Sequence, residues 1–277
     1  ALVSGLLVGG LPQFLFMGGI VNNDVASAAT SAFSLLALIR YWEHPGWLPA
    51  VIAGFVIGLA VLAKAAGLWL LPLAAGVVWL RRQELLGKML PEGAIILVVC
   101  MGVCGWWLGM NMAHYGDPTG ITEHLRLQPG EQVDITVPAN LLTMVHEITT
   151  SFWAVFGLSN IAAPRWIYMA LNVLALISLT GLLLSGEIKG KQPLLWICLV
   201  WCVLIICAAL AWAIRVKAWH GRLFFPALVA GVVGTRAVLA TLDPIPIGIP
   251  LPGTIIPSTV ILPSTIVLLL LASANVA

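Results

Sequence analysis

The sequence predicts an all-α fold, a polytopic transmembrane helical bundle of about eight or nine spans, from three observations. Hydrophobic residues make up 61% of the chain and charged residues only 9%, where a soluble globular domain carries about 25% charged. Several apolar runs reach the roughly 20 residues that cross a bilayer as a helix. None of these runs alternates polar with apolar residues, and backbone groups in lipid must pair internally, so helices are favoured over a barrel. The mean hydropathy of +1.05 agrees. A net charge of +2 leaves no electrostatic footprint for nucleic acid, which is not expected as a partner. All five cysteines lie inside apolar runs, so they form no disulfide framework and mark no compartment.

Residues 1–277 read as one transmembrane domain. The chain opens ALVSGLLVGG, inside an apolar run with no Met, basic n-region or cleavage site, as expected of a piece of a longer membrane protein. The first span covers about residues 1–20, with Gly5, Gly9, Gly10, Gly18 and Gly19 allowing close helix contact and Pro12 a kink. After Asn22-Asn23-Asp24 a second span runs to about Trp42, with Ala26, Ser27, Ala29, Thr30, Ser31 and Ser34 as a small-residue packing surface. The third span, about 47–64, ends at Lys64, and the fourth, about 65–80, stops at Arg81-Arg82. The fifth, about 93–112, ends in the polar turn His114–Pro118. Residues 113–164 form an extracytoplasmic loop with an amphipathic stretch, NLLTMVHEITTSFWAVFG, suited to the membrane interface. Spans six to eight follow at about 166–185, 193–213 and 223–241. The Pro/Gly-rich connector 243–257 cannot hold a continuous helix, and the run 258–272 completes a ninth span. No internal repeat is visible.

Basic residues in the loops set the orientation. One face receives Arg40, Arg81, Arg82, Lys88, Lys189, Lys191 and Arg236, and the other Lys64, Arg126, Arg165, Arg215, Lys217 and Arg222. Long loops count little in this rule, and setting aside Arg126 and Arg165 leaves seven against four. The first face is therefore cytoplasmic, and Asp24, Lys64, the 113–164 loop and the Arg215–Arg222 cluster share the outer face.

That convergence points to chemistry. Arginine offers phosphate a planar fork and lysine a mobile point charge, while a carboxylate beside them can hold a divalent cation or orient a hydroxyl. Each residue also has a plainer reading. Asp24 can cap the second helix, Lys64 can snorkel, and Arg215, Lys217 and Arg222 can meet lipid headgroups. Tyr115-Gly116-Asp117-Pro118 has turn composition. His146-Glu147 lacks the second histidine of a zinc-protease helix, since Thr150 stands there. Cys100 with Cys104, and Cys198 with Cys202, are spaced like ligands but suit packing in apolar helices. Trp42, Trp47, Trp166 and Trp219 fit an aromatic belt.

Five segments in order, LPQFLF…NNDVASA, GLAVLAKAAGLWLLPLAAGVVWLRR, NMAHYGDPTG, SFWAVFG and HGRLFFPAL, resemble the GT-C glycosyltransferases over about residues 1–240. The chain is most similar to bacterial members related to protein mannosyltransferases and lipid A aminoarabinose transferases (family 39-like). The resemblance implies a multi-pass protein of the bacterial cytoplasmic (inner) membrane, in contact with membrane lipids. It would move a sugar from a polyprenyl-phosphate-linked donor to a lipid, glycan or protein acceptor at the extracytoplasmic face. By the same resemblance Asp24 is a catalytic acidic residue at an outer helix end, near the acceptor or a divalent cation such as Mg²⁺ or Mn²⁺. Asn22, Asn23, Lys64, Tyr115, Asp117, His220 and Arg222 line the substrate site, with Lys64 and Arg222 near the carrier phosphate. The superfamily's catalytic base lies on the first outer loop, and no such loop precedes Leu11. Either the chain lacks the N-terminal helix and that loop, or the resemblance is one of structure alone. A transporter or flippase of a lipid-linked or anionic solute is the rival, although such proteins often show repeats, and a non-catalytic scaffold is a third reading. On the first reading, residues 1–277 alone do not transfer sugar, and robust transfer by this piece in a donor-to-acceptor assay would refute the missing-base argument.

Overall fold

The computed structural model describes residues 8–84, 90–127, 134, 136–157, 160–184, 193–217, 219–228 and 230. It is nearly all-α, as the composition predicts. A short helix α1 (Pro12–Gly18) leads to α2 (Asp24–Glu43) and α3 (Trp47–Ala63). A 3-10 turn, Ala65–Trp69, joins α3 to α4 (Leu70–Glu84), and α5 (Leu90–Tyr115) follows. Within the predicted outer loop lie α6 (Ile121–Leu127), α7 (Pro138–Trp153) and a hairpin of β1 (Val155–Phe156) against β2 (Ile161–Ala162). Helices α8 (Arg165–Leu184) and α9 (Pro193–Val216) and a second 3-10 turn, Gly221–Ala227, complete the described chain.

Three described helices are long and apolar enough to cross a membrane: Asp24–Glu43, Pro91–Tyr115 and Leu195–Val216. Trp47–Ala63 and Ala65–Arg81 are apolar but shorter. The first predicted span is not one helix. Proline drives the residue before it out of the α region, so Leu11 is extended (φ −73°, ψ 113°) and α1 starts afresh at Pro12. The eighth predicted span opens as a 3-10 turn with Pro226 inside it. Residues 231–241 of that span, the connector 243–257, the run 258–272, and Lys88, Lys189, Lys191 and Arg236 of the orientation argument lie outside the described residues.

The core gathers α2, α3, α4, α5 and α9 around Leu38, Ile57, Leu70, Trp201 and Ile205. The inner stripe of α2 mixes serines with Ala28 and Ala37. Ser27, Ser31 and Ser34 are buried, whereas Ala26 and Ala29 of the predicted packing surface point outward. Helices α3 and α5 meet at Gly54 and Gly58, a small-xxx-small spacing that lets backbones approach in a membrane. A Cβ at Gly54 would lie 2.6 Å from the Ile96 carbonyl oxygen, and one at Gly58 would lie 2.6 Å from Val103 Cβ. The contact advances along both helices together, so α3 and α5 run parallel, and the intervening α4 carries the chain back. Cys100 and Cys104 sit in this core with their sulfurs 3.9 Å apart, which fits their packing reading.

The helix ends sort into two polar levels. At one end the Tyr41 hydroxyl donates to Glu92 Oε2 at 3.1 Å, and the Arg81 guanidinium lies 5.5 Å above the Trp42 ring. Asp24 and Lys64 lie at the other end of α2 and α3. Trp47 and Trp166 are exposed as a belt requires, but Trp219 is 7% exposed and packs on Met144 and Ala213. We expect Gly54→Ala to cost about 1–3 kcal/mol by overpacking the α3–α5 seam. Gly102→Ala, with nothing within 4 Å of its Cβ, should be neutral. Thermal unfolding in detergent checks the pair, and equal midpoints would refute the seam's tightness.

Candidate functional site

The site begins at the N-terminus of α2, where Asn22 and Asp24 divide two tasks that the sequence left with Asp24. The Asn22 Oδ1 accepts the Asp24 backbone N–H at 2.5 Å and so satisfies one of the donors that a helix start leaves unpaired. Asn23 occupies the N-cap position, and its side chain makes no capping bond. The Asp24 carboxylate is therefore not a cap. Its side chain is 6% exposed and turns inward to two cations.

Lys64 supplies the first. It is the C-cap of α3, extended at φ −162°, and its Nζ donates to Asp24 Oδ1 at 2.6 Å. Because α2 and α3 are antiparallel, the start of one helix meets the end of the other. A carboxylate at an N-terminus and an amine at a C-terminus both agree with the helix dipoles. Gly67 keeps the following turn tight, since any Cβ there would collide with the Ala60 backbone.

Arg222 supplies the second, from the 3-10 turn after α9, with Nε 3.5 Å from Asp24 Oδ2. Among the described residues its guanidinium makes no hydrogen bond, and 41% of the side chain is exposed. Phe225, on the turn that carries Arg222, packs edge to face with Phe14 and Phe152 as an apolar floor to that turn, with ring centroids 5.4 and 6.2 Å apart. This apolar floor lowers the local dielectric and strengthens every charge interaction above it.

His220 sits beside the cluster. Burial and the neighbouring Arg222 push its imidazole below the ordinary histidine range, while Asp24 and Glu147 pull the other way. With His220 neutral, Asp24, Lys64 and Arg222 carry a net charge of about +1.

Other candidates stand apart. Asn23 is exposed, and among the described residues its side chain makes no hydrogen bond to the three charges. Among the described residues, no hydrogen bond or ion pair joins Tyr115 or Asp117 to the cluster. Tyr115 is half exposed, and Asp117 organises its own loop. The Asp117 Oδ1 accepts from the Thr119 N–H and hydroxyl at 2.9 and 2.7 Å, and Oδ2 from those of Thr122 at 2.8 and 2.9 Å. These bonds, led by the Thr122 N–H, hold its carboxyl well below the usual carboxylate range. Its turn reading accounts for all of them.

Three contributors escaped the sequence reading. Gln13, buried on α1, accepts the Val155 N–H at 2.7 Å and ties the hairpin to the floor. Gly221 and Ser151 join the Arg222 turn to α7. A lone glutamine in the apolar run LPQFLFM is a signal the sequence carries, but the Ser151–Gly221 pairing has none.

A divalent cation fits these residues poorly. Mg²⁺ and Mn²⁺ want several oxygen ligands, yet both Asp24 oxygens face cations and the Asn22 oxygen is bonded. No group of three or more metal-ligating side chains forms among the described residues. What the arrangement can do is hold an anion, with Lys64 and Arg222 fixed by a shared carboxylate and Arg222 open to the outside.

Residues 1–107 match the family model described as dolichyl-phosphate-mannose-protein mannosyltransferase. No curated protein and no solved structure matches the chain. The resemblance to GT-C glycosyltransferases is borne out over this stretch, which contains Asp24 and Lys64 and ends before Tyr115, Asp117, His220 and Arg222. With the apolar helices, the match indicates an integral membrane protein and points to a membrane glycosyltransferase.

His220 gives the site a pH signature. Its pKa is lowered in the folded chain, so below about pH 6.5 the unfolded chain binds the proton more readily. Stability is then full above that pH and falls as pH drops, levelling once the folded imidazole is itself protonated. We expect the unfolding midpoint to fall between about pH 7 and 5, and His220→Gln to flatten that fall. An unchanged pH profile in the variant would refute the environment assigned to His220.

Proposed function

We propose that this chain carries the carrier-phosphate site of a multi-pass glycosyltransferase of the bacterial cytoplasmic membrane. The enzyme moves a sugar from a polyprenyl-phosphate donor to a lipid, glycan or protein acceptor at the extracytoplasmic face. The observation that carries this reading is the Asp24–Lys64–Arg222 cluster at the polar end of an apolar bundle. A phosphodiester monoanion complements a net charge of about +1, and its polyprenyl tail would run along the lipid-facing helices.

In the transfer, an acceptor hydroxyl oxygen bonds to the anomeric carbon as the bond from that carbon to the phosphate oxygen breaks. The electron pair leaves with the phosphate, whose charge grows from one to two negative units. Lys64 and Arg222 meet that growth with charges already in place, and interactions that strengthen in the transition state are the ones that accelerate. The hydroxyl proton passes to the acidic residue that the resemblance implies on the first outer loop. Asp24 holds both cations in register at the pocket edge, and no step runs through a metal ion.

The test is transfer by the full-length protein. Asp24→Asn, Lys64→Ala and Arg222→Ala should each lower kcat/KM by about 10²-fold or more, the scale of losing a preorganised charge-stabilising group. Turnover unchanged in all three would sink the assignment.

A further inference from the structure

Arg222 is held from outside the bundle. Gly221 opens its 3-10 turn, and the first N–H groups of any helical turn have no partner within it. His220, the N-cap residue, makes no side-chain capping bond. The partner instead comes from α7, whose Ser151 Oγ accepts the Gly221 N–H at 2.8 Å. The hydroxyl's shortest acceptor is the Glu147 carbonyl at 2.5 Å, with the Trp219 carbonyl at 3.4 Å, which leaves an oxygen lone pair for the Gly221 N–H.

The two segments meet backbone to backbone. A Cβ on Gly221 would strike the Phe152 backbone and lie 2.5 Å from the Ile148 oxygen, so only glycine fits. At the far end of the turn the Pro226 carbonyl accepts from Trp201 Nε1 at 2.8 Å. The turn is thus pinned at both ends, and Arg222 lies next to the Ser151 pin. Helix α7 has other anchors. Met144 and Ile148 pack on Leu210, Ala213 and Trp219, and the Trp153 indole donates to Asn172 Oδ1 at 2.7 Å. Losing the serine hydroxyl therefore releases the turn without undocking the helix.

We propose that Ser151 is a positioning residue for the phosphate site: by capping the turn from α7, it sets where the Arg222 guanidinium stands relative to Asp24 and Lys64. This rests on the reading of Arg222 as a phosphate ligand. A merely structural serine would change the amount of folded protein and leave affinity for the anion alone.

The experiment uses the full-length protein in detergent. It measures donor KM, kcat and the inhibition constant of unmodified polyprenyl monophosphate for wild type, Ser151→Ala, Ser151→Thr and Arg222→Ala. Ser151→Ala should raise both the KM and the inhibition constant about three- to tenfold, the scale of one lost hydrogen bond, with a smaller change in kcat. Ser151→Thr, which keeps the hydroxyl, should return both towards wild type. Wild-type KM and inhibition constant in Ser151→Ala would overturn the proposal, and so would a Ser151→Thr enzyme as weak as Ser151→Ala. If Arg222→Ala loses phosphate affinity while Ser151→Ala does not, the positioning role alone fails. If Arg222→Ala keeps its affinity, the phosphate reading itself fails.

Discussion

A carboxylate that water barely reaches must be answered by the protein, and at Asp24 the answer comes from two cations. Lys64 reaches it at 2.6 Å and Arg222 at 3.5 Å. Removing one partner of a buried charge pair commonly costs about 3–5 kcal/mol, because the remaining charge keeps its desolvation cost. Arg222 and Lys64 keep part of their surface in solvent, so the penalty falls mainly on Asp24. The antiparallel seating of α2 and α3, the sharp turn at Lys64 and the return of the chain after α9 all have to agree for this one contact to form. In exchange, two cations are held beside each other where an incoming anion can use them.

Farther along α2 the same bundle closes on a different logic. Tyr41 bonds Glu92 and Arg81 covers Trp42, so polar groups from three helices close that end while the middle is almost wholly apolar. Lipid offers little hydrophobic drive between helices. Close backbone approach at Gly54 and Gly58 takes its place and brings α3 onto α5. Apolar walls between two polar ends suit a ligand with one charged group and a long hydrocarbon tail.

Helix α7 links the site to the region outside the bundle. Its buried Met144 and half-buried Ile148 seat on the end of α9, while Leu141, Leu142 and Val145 stay exposed on a neighbouring flank. An amphipathic helix with that distribution suits a water–lipid boundary. Ser151, two turns beyond Met144 on the same inward face, reaches the turn that carries Arg222, so the outer segment and the charge cluster are joined.

Composition, hydrophobic runs and the residues at their ends were enough to establish from the chain alone that this is a helical membrane protein. They also located the ends of α2, α3 and α5 to within a few residues. Successive spans alternate direction, so counting them placed Asp24, Lys64 and Arg222 at one level before any packing was known. The Gly54–Gly58 seam emerged only with the packing, since spacing alone does not say which helix meets those glycines. Tertiary structure alone decided which polar group does what. Asn22 takes the capping role proposed for Asp24, Asp117 spends its oxygens on Thr119 and Thr122, and Pro12 breaks what looked like one span. Ser151 meets Gly221 across 70 residues of chain. Sequence spacing tells which end of a helix a residue occupies, whereas a hydrogen bond requires two atoms within about 3 Å, and that depends on how separate segments pack.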